Sequence, residues 1–100
     1  MTTQDCFAVI FTSQLADPKN EEYEQIAKKM VLLAQSQKGF LGIESVRNEH
    51  GQGITVSYWE SMEPIKAWSE NSEHRIAQKR GREEFYSAFK VRVCRVERAY

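Results

Sequence analysis

Apolar side chains fill both alternating faces of residues 6–12, CFAVIFT, and this pattern predicts a central strand covered on both sides. Asp17 and Pro18 then resemble a helix start, with the carboxylate as cap and proline in the first position. A stripe of Tyr23, Ile26, Ala27, Met30, Leu33 and Ala34 at three- and four-residue spacing predicts a helix to about Gln37, ended by Gly39. A second strand is expected over 40–47, a glycine-marked hairpin over 48–53, and a third strand rich in β-branched and aromatic residues over 54–59. Ser61 precedes a short helix over 63–68, and Ser72 is placed as the cap of a longer one. The last strand, 89–98, alternates Val91 and Val93 with Lys90 and Arg92.

This order, βαββαβ, is that of an α+β, ferredoxin-like subunit: a four-stranded antiparallel sheet with its helices on one face. Phe7, Val9 and Phe11 lie on one side of the first strand and Cys6, Ala8 and Ile10 on the other, yet helices can cover only one side. A bare apolar sheet face is rare in soluble monomers, so the pattern implies a homodimer joined through the open faces.

The 100 residues are expected to form a single domain, 1–100, with one core. A hydrophobic fraction of 41% and a charged fraction of 28% are those of a soluble globular chain. Formal net charge is zero, which argues against a nucleic-acid partner, since phosphate binding draws on a basic surplus. No apolar run reaches the ~20 residues of a membrane span, and no basic segment precedes the first apolar run. The expectation is a cytoplasmic protein with no membrane partner. Cys6 and Cys94 are too few for a metal cluster and are read as buried, reduced thiols, although adjacent first and last strands leave a bond between them open.

Candidate chemistry gathers between Tyr58 and Tyr86. A helix from Ser72 onward puts His74, Ala77, Gln78, Gly81, Phe85 and Ala88 on one stripe, with Arg75, Lys79, Arg82 and Glu83 opposite. A histidine, a glutamine and a glycine on an inward stripe suit a cavity wall better than a filled core. Tyr58 and Trp59 point to opposite faces of their strand; Tyr58 follows Ile54 and Val56, which suggests the helix-covered side. His50, at the hairpin tip, reads as a solvated turn residue. The arginines at 75, 80, 82, 92, 95 and 98 read as an ion-paired surface, one of which could hold an enolate or phenolate at a pocket mouth; their spacing selects none.

The segments GFLGIES (39–45), GITVSYWES (53–61), AW (67–68), EHRIAQKRGREEFY (73–86) and the ending VRVCRVERAY resemble the antibiotic biosynthesis monooxygenase (ABM) domain family of the dimeric α/β-barrel superfamily. The resemblance runs over nearly the whole chain from Cys6. It implies a homodimer whose sheets form an α/β barrel, with one pocket per subunit between helices and sheet, binding a small aromatic or apolar molecule. Some members of the superfamily are monooxygenases that need no cofactor and oxidise phenolic polyketides to quinones. A deprotonated electron-rich substrate can itself pass an electron to dioxygen, so the protein binds a flat aromatic, takes a proton and stabilises the anion. On that reading His74 is the general base, and Trp68, Tyr58, Gln78, Gly81 and Phe85 line the substrate site, with no cofactor and no metal. His74 could instead only hydrogen-bond a neighbouring carbonyl, and Trp68 only fill core.

Two other readings accompany this one. Haem-degrading members of the superfamily use an asparagine on the first strand, a tryptophan and an axial histidine on the following helix. Here residues 6–12 hold no asparagine, and Gln78 stands nearer the axial place than His74 does. The remaining alternative is a small-molecule-binding or stress-related dimer without catalysis; an enclosed pocket presenting His74 favours an enzyme, and a filled core favours the structural role.

Overall fold

A computed structural model describes residues 6–100. The elements are β1 (Cys6–Leu15), α1 (Glu21–Gln35), β2 (Phe40–Arg47), β3 (Gln52–Trp59), α2 (Met62–Glu70), α3 (Ser72–Arg80), a five-residue π-helical turn (Gly81–Phe85) and β4 (Tyr86–Val96). The sheet is antiparallel with strand order β2-β3-β1-β4. This is the ferredoxin-like arrangement expected from the sequence. Among the described residues, no helix is long and apolar enough to cross a membrane.

Several boundaries differ from the sequence reading, each for a local reason. Asn20, not Asp17, caps α1: its side-chain oxygen accepts from the Tyr23 amide at 2.9 Å. Asp17 instead closes a turn by accepting from the Lys19 amide. Asn71, not Ser72, caps α3, accepting from the Glu73 and His74 amides. The long helix stops at Arg80, widens into the π-helical turn and gives way to β4 at Tyr86, so Tyr86 and Ala88 belong to a strand. π-Helical turns frequently mark functional sites.

Register determines which side chains meet the helices. Phe7 faces Trp59, Val9 faces Ser57, and Phe11 faces Thr55 across β1 and β3; Val93 and Val91 face Val9 and Phe11 across β1 and β4. These rows lie beneath the helices. The other face carries Ala8, Ile10, Ile54, Val56, Tyr58 and Val46, with Ile54 48% and Val46 72% exposed. Cys94 lies opposite Ala8 on this open face, and Cys6 opposite Val96; both thiols are free.

Full burial is confined to a few places. Trp59 is 0% exposed, donates its indole N–H to Ser57 at 2.9 Å, and meets Phe40 edge-on and Trp68 in a stack. Leu15, Ala34, Ile65 and Phe85 complete the periphery. Gly39 takes φ +85°, a left-handed conformation, and a β-carbon there would overlap the Pro64 ring. Gly39→Ala is therefore expected to lower stability by about 1–3 kcal/mol through strain and displacement of Pro64. Urea denaturation measures this, and an unchanged midpoint would contradict it.

Candidate functional site

Between the helices and the middle rows of the sheet lies a cavity of about 540 Å³. Its floor is Val9, Phe11, Ile43, Ser45, Thr55 and Ser57, and its roof includes Ile26, Ala27, Met30 and Val31 of α1, with Ile65, Trp68, His74, Ala77 and Gln78 of α2 and α3. That size lies in the range of small-molecule pockets. The space exists because Ser45, Thr55 and Ser57 are short where a filled core would carry larger side chains. The mouth runs along the edge strand: Phe89, Val91 and Val93 line the cavity, yet are 42%, 55% and 46% exposed.

His74 occupies the first turn of α3, where the Asn71 cap directs the helix back over α2. Its ring stacks on that of Trp68, with centroids 3.9 Å apart and planes 14° from parallel. Nδ1 lies 2.9 Å from the Trp68 carbonyl oxygen. A carbonyl can only accept, so Nδ1 carries the proton, and in the neutral ring Nε2 is left with a free lone pair. Burial pushes the imidazole below its ordinary pKa of 6.5, opposed by the Trp68 carbonyl. At neutral pH the cavity wall therefore presents an uncharged imidazole with a fixed tautomer and one basic nitrogen to spare.

A second polar group stands behind Tyr23 and Tyr86 of the cavity wall. Arg47 extends from the end of β2 across Gly53, where any β-carbon would collide with the guanidinium. It donates to the Gly51 carbonyl, to Ser13 Oγ at 2.7 Å and to Tyr23 Oη at 2.9 Å. Tyr86 Oη is 3.2 Å from Tyr23 Oη. Gly81 makes room for this tyrosine, since a β-carbon at 81 would lie 2.7 Å from Tyr86 Cε2. Burial, then the contact with Tyr23, raises the Tyr86 pKa, against the opposing charge of Arg47. The phenol thus stays protonated at physiological pH.

Of the residues singled out from sequence, His74, Trp68, Gln78 and Phe85 are brought together around one cavity. Tyr58 is not among them. It pairs with Ala8 on the open face and donates to Glu44 at 3.3 Å, whereas its neighbours Ser57 and Trp59 face the helices. The apolar Ile54 and Val56 mark the uncovered face, and the cavity face carries small polar residues, which inverts the usual inference. Gly81 lies behind Tyr86 and not on the cavity wall. Arg82, assigned to the solvent stripe, is exposed and also borders the cavity from the π-helical turn. Arg47, Tyr23 and Tyr86 were not read as a group. The available signal was a cation at 47 on the same strand parity as Ile43 and Ser45.

Because the folded state resists protonation of His74, the stability it contributes is present above pH ~6.5 and is lost as pH falls toward the lowered folded value. Nitrogen-15 NMR of the imidazole is expected to show the Nδ1–H tautomer and a midpoint below 6.5. His74→Gln is expected to lessen the loss of stability between pH 7 and the folded midpoint. A midpoint at or above 6.5, or an Nε2–H tautomer, would contradict the assignment.

The family model for antibiotic biosynthesis monooxygenase matches residues 6–80. The chain is 47% identical over 92 residues to the uncharacterized protein YqjZ of Bacillus subtilis (strain 168), a match covering 92% of this chain and 80% of that one. Among solved structures, a mutant form of SnoaB of Streptomyces nogalater, described as a cofactor-independent oxygenase, superposes with a TM-score of 0.78 at 10% identity, over 97% of each chain. PA3566 of Pseudomonas aeruginosa superposes with a TM-score of 0.76 at 16% identity, over 100% of each chain. At such identities the structures speak for the fold alone, but the family match spans most of the sequence: the chain belongs to the antibiotic biosynthesis monooxygenase family.

Proposed function

We propose that this protein is a monooxygenase that oxidises a small aromatic, phenolic substrate with dioxygen and without a cofactor. The observation that carries the reading is His74: its Nδ1 is committed to a backbone carbonyl and its ring faces a cavity of about 540 Å³. A neutral imidazole in an apolar enclosure suits abstraction of a weakly acidic proton. Membership of the family, and the description of SnoaB as a cofactor-independent oxygenase, support the same class of chemistry.

For an anthrone-type substrate the steps balance without any other reagent. His74 takes one proton from the methylene carbon, leaving a delocalised carbanion or enolate. This anion transfers an electron to dioxygen, and the radical pair joins to form a peroxide anion, which takes the proton back from the His74 imidazolium to give a hydroperoxide. Loss of water then leaves a carbonyl, so one oxygen atom enters the substrate and the other departs in water with the two hydrogens. Trp68 fixes the imidazole by stacking and through its carbonyl, Phe11 and Phe85 offer apolar contact, and Gln78 lies one helical turn from the base.

The working form is a homodimer. The open sheet face, with Val46, Ile54 and Val56 beside Ala8 and Ile10, is the apolar surface that a second copy would cover. Sedimentation at micromolar concentration is expected to give a dimer; a monomer would remove this part of the proposal.

Oxygen uptake with anthrone- and hydroquinone-type substrates is expected to exceed the uncatalysed background, and His74→Ala to lower it about 10²- to 10⁴-fold, the usual range for loss of a general base. Uptake at background across the series, or unchanged in His74→Ala, would contradict the proposal.

A further inference from the structure

Tyr23 and Tyr86, which line the cavity away from His74, are backed by the Arg47 guanidinium just outside its wall, and the proton-abstraction scheme uses none of the three. The Tyr86 ring packs against Gly81, seven residues beyond His74 along α3 and the π-helical turn, or roughly 10 Å at the helical rise. The two polar groups therefore lie apart along one cavity.

Three features give this remote end a ligand-binding character. Arg47 meets no carboxylate among the described residues; its acceptors are the neutral oxygens of Gly51, Ser13 and Tyr23. Such a cation, half-buried beside an apolar cavity, leaves its charge uncompensated. Second, Tyr23 and Tyr86 both line the cavity, and their hydroxyls meet each other. Tyr86 donates to Tyr23 in that contact, and the Tyr23 hydroxyl proton has no acceptor among the described residues. Third, the arrangement is built into the backbone: Gly53 seats the guanidinium and Gly81 seats the Tyr86 ring. With Arg47 donating into Tyr23, the free phenol proton is polarised toward an acceptor in the cavity.

We propose that Tyr23 and Tyr86, backed by Arg47, bind an ionised carboxylate on the substrate, at the end of the cavity remote from His74. This deepens the oxygenase reading, because it assigns the substrate class as an aromatic acid held with its reactive carbon toward the imidazole. One phenol hydroxyl donates to the carboxylate, and the guanidinium supplies the counter-charge through Tyr23. Neither tyrosine reacts; both position the ligand.

The test compares 2-naphthoate with its neutral isostere 2-naphthamide by titration calorimetry at pH 7.5 under nitrogen, so that binding is read without turnover. The acid is expected to bind at least about tenfold more tightly than the amide, as for a charge-assisted hydrogen bond. Tyr23→Phe and Arg47→Met are expected to abolish this preference while leaving amide binding within about twofold, whereas Arg47→Lys retains part of it. Tyr23→Phe keeps the ring that packs on Phe85, and its melting temperature serves as the control for folding. His74→Ala is expected to keep the preference intact. Equal affinity for acid and amide, no saturable binding of the acid up to millimolar concentration, a preference that survives Tyr23→Phe and Arg47→Met, or one lost in His74→Ala would each overturn the proposal. A protein that prefers the acid but takes up no oxygen would retain this site and lose only the oxygenase reading.

Discussion

The architecture depends on a sheet face that its own side chains do not fill. Ser45, Thr55 and Ser57 stand on the middle rows beneath three helices, and their small volume keeps the helices from closing on the strands. Close packing is the default state of a protein interior, so a space of this size persists only where rigid material surrounds it. Trp59 with Phe40 and Trp68 supplies that support at one end, and Phe85 with Tyr23 and Tyr86 supplies it at the other. The cavity is thus held open between two aromatic clusters, and each cluster also carries a polar group.

The polar groups have opposite character because their partners differ. His74 donates a hydrogen bond from Nδ1 to a backbone carbonyl and is kept uncharged by burial, which leaves the Nε2 lone pair free to accept. Tyr23 Oη accepts from the Arg47 cation and from Tyr86, which leaves its own hydroxyl proton to donate. A ligand with an acidic hydrogen at one end and an anionic oxygen at the other would satisfy both. Across the π-helical turn, Arg80 pairs with Glu22 on α1 and with Glu84, and lies over the Phe85 ring. These exposed pairs contribute little stability singly, but they tie α3 to α1 over the cavity.

Much of this was legible in the sequence, and the failures share a cause. Element order, strand adjacency and the inward stripe of α1 follow from periodicity, which reports burial on a regular element. The placing of His74, Gln78 and Phe85 on one wall follows from helical spacing. Tyr58 went to the wrong face because apolar alternation identifies a buried surface without saying what covers it. On β3 the more apolar side is the open one, and the side beneath the helices reads as polar because it lines a cavity. The Arg47–Tyr23–Tyr86 group escaped notice because its members come from β2, α1 and β4 and meet only once the helix is packed on the sheet. No local pattern signals that the helix stops at Arg80 and that Tyr86 starts a strand, with the Tyr86 ring folded back against Gly81.

The central claim, that Nε2 of His74 takes a proton from a ligand in the cavity, can be tested without oxygen. Anthrone is added anaerobically to the purified protein in deuterium oxide near neutral pH, and exchange of its methylene hydrogens is followed by NMR with wild type and with His74→Gln. Exchange is expected to run faster than in buffer with the wild type and to fall to the buffer rate with the variant. A bound ligand that exchanges no faster than in buffer with the wild type, or equally with both proteins, would contradict this.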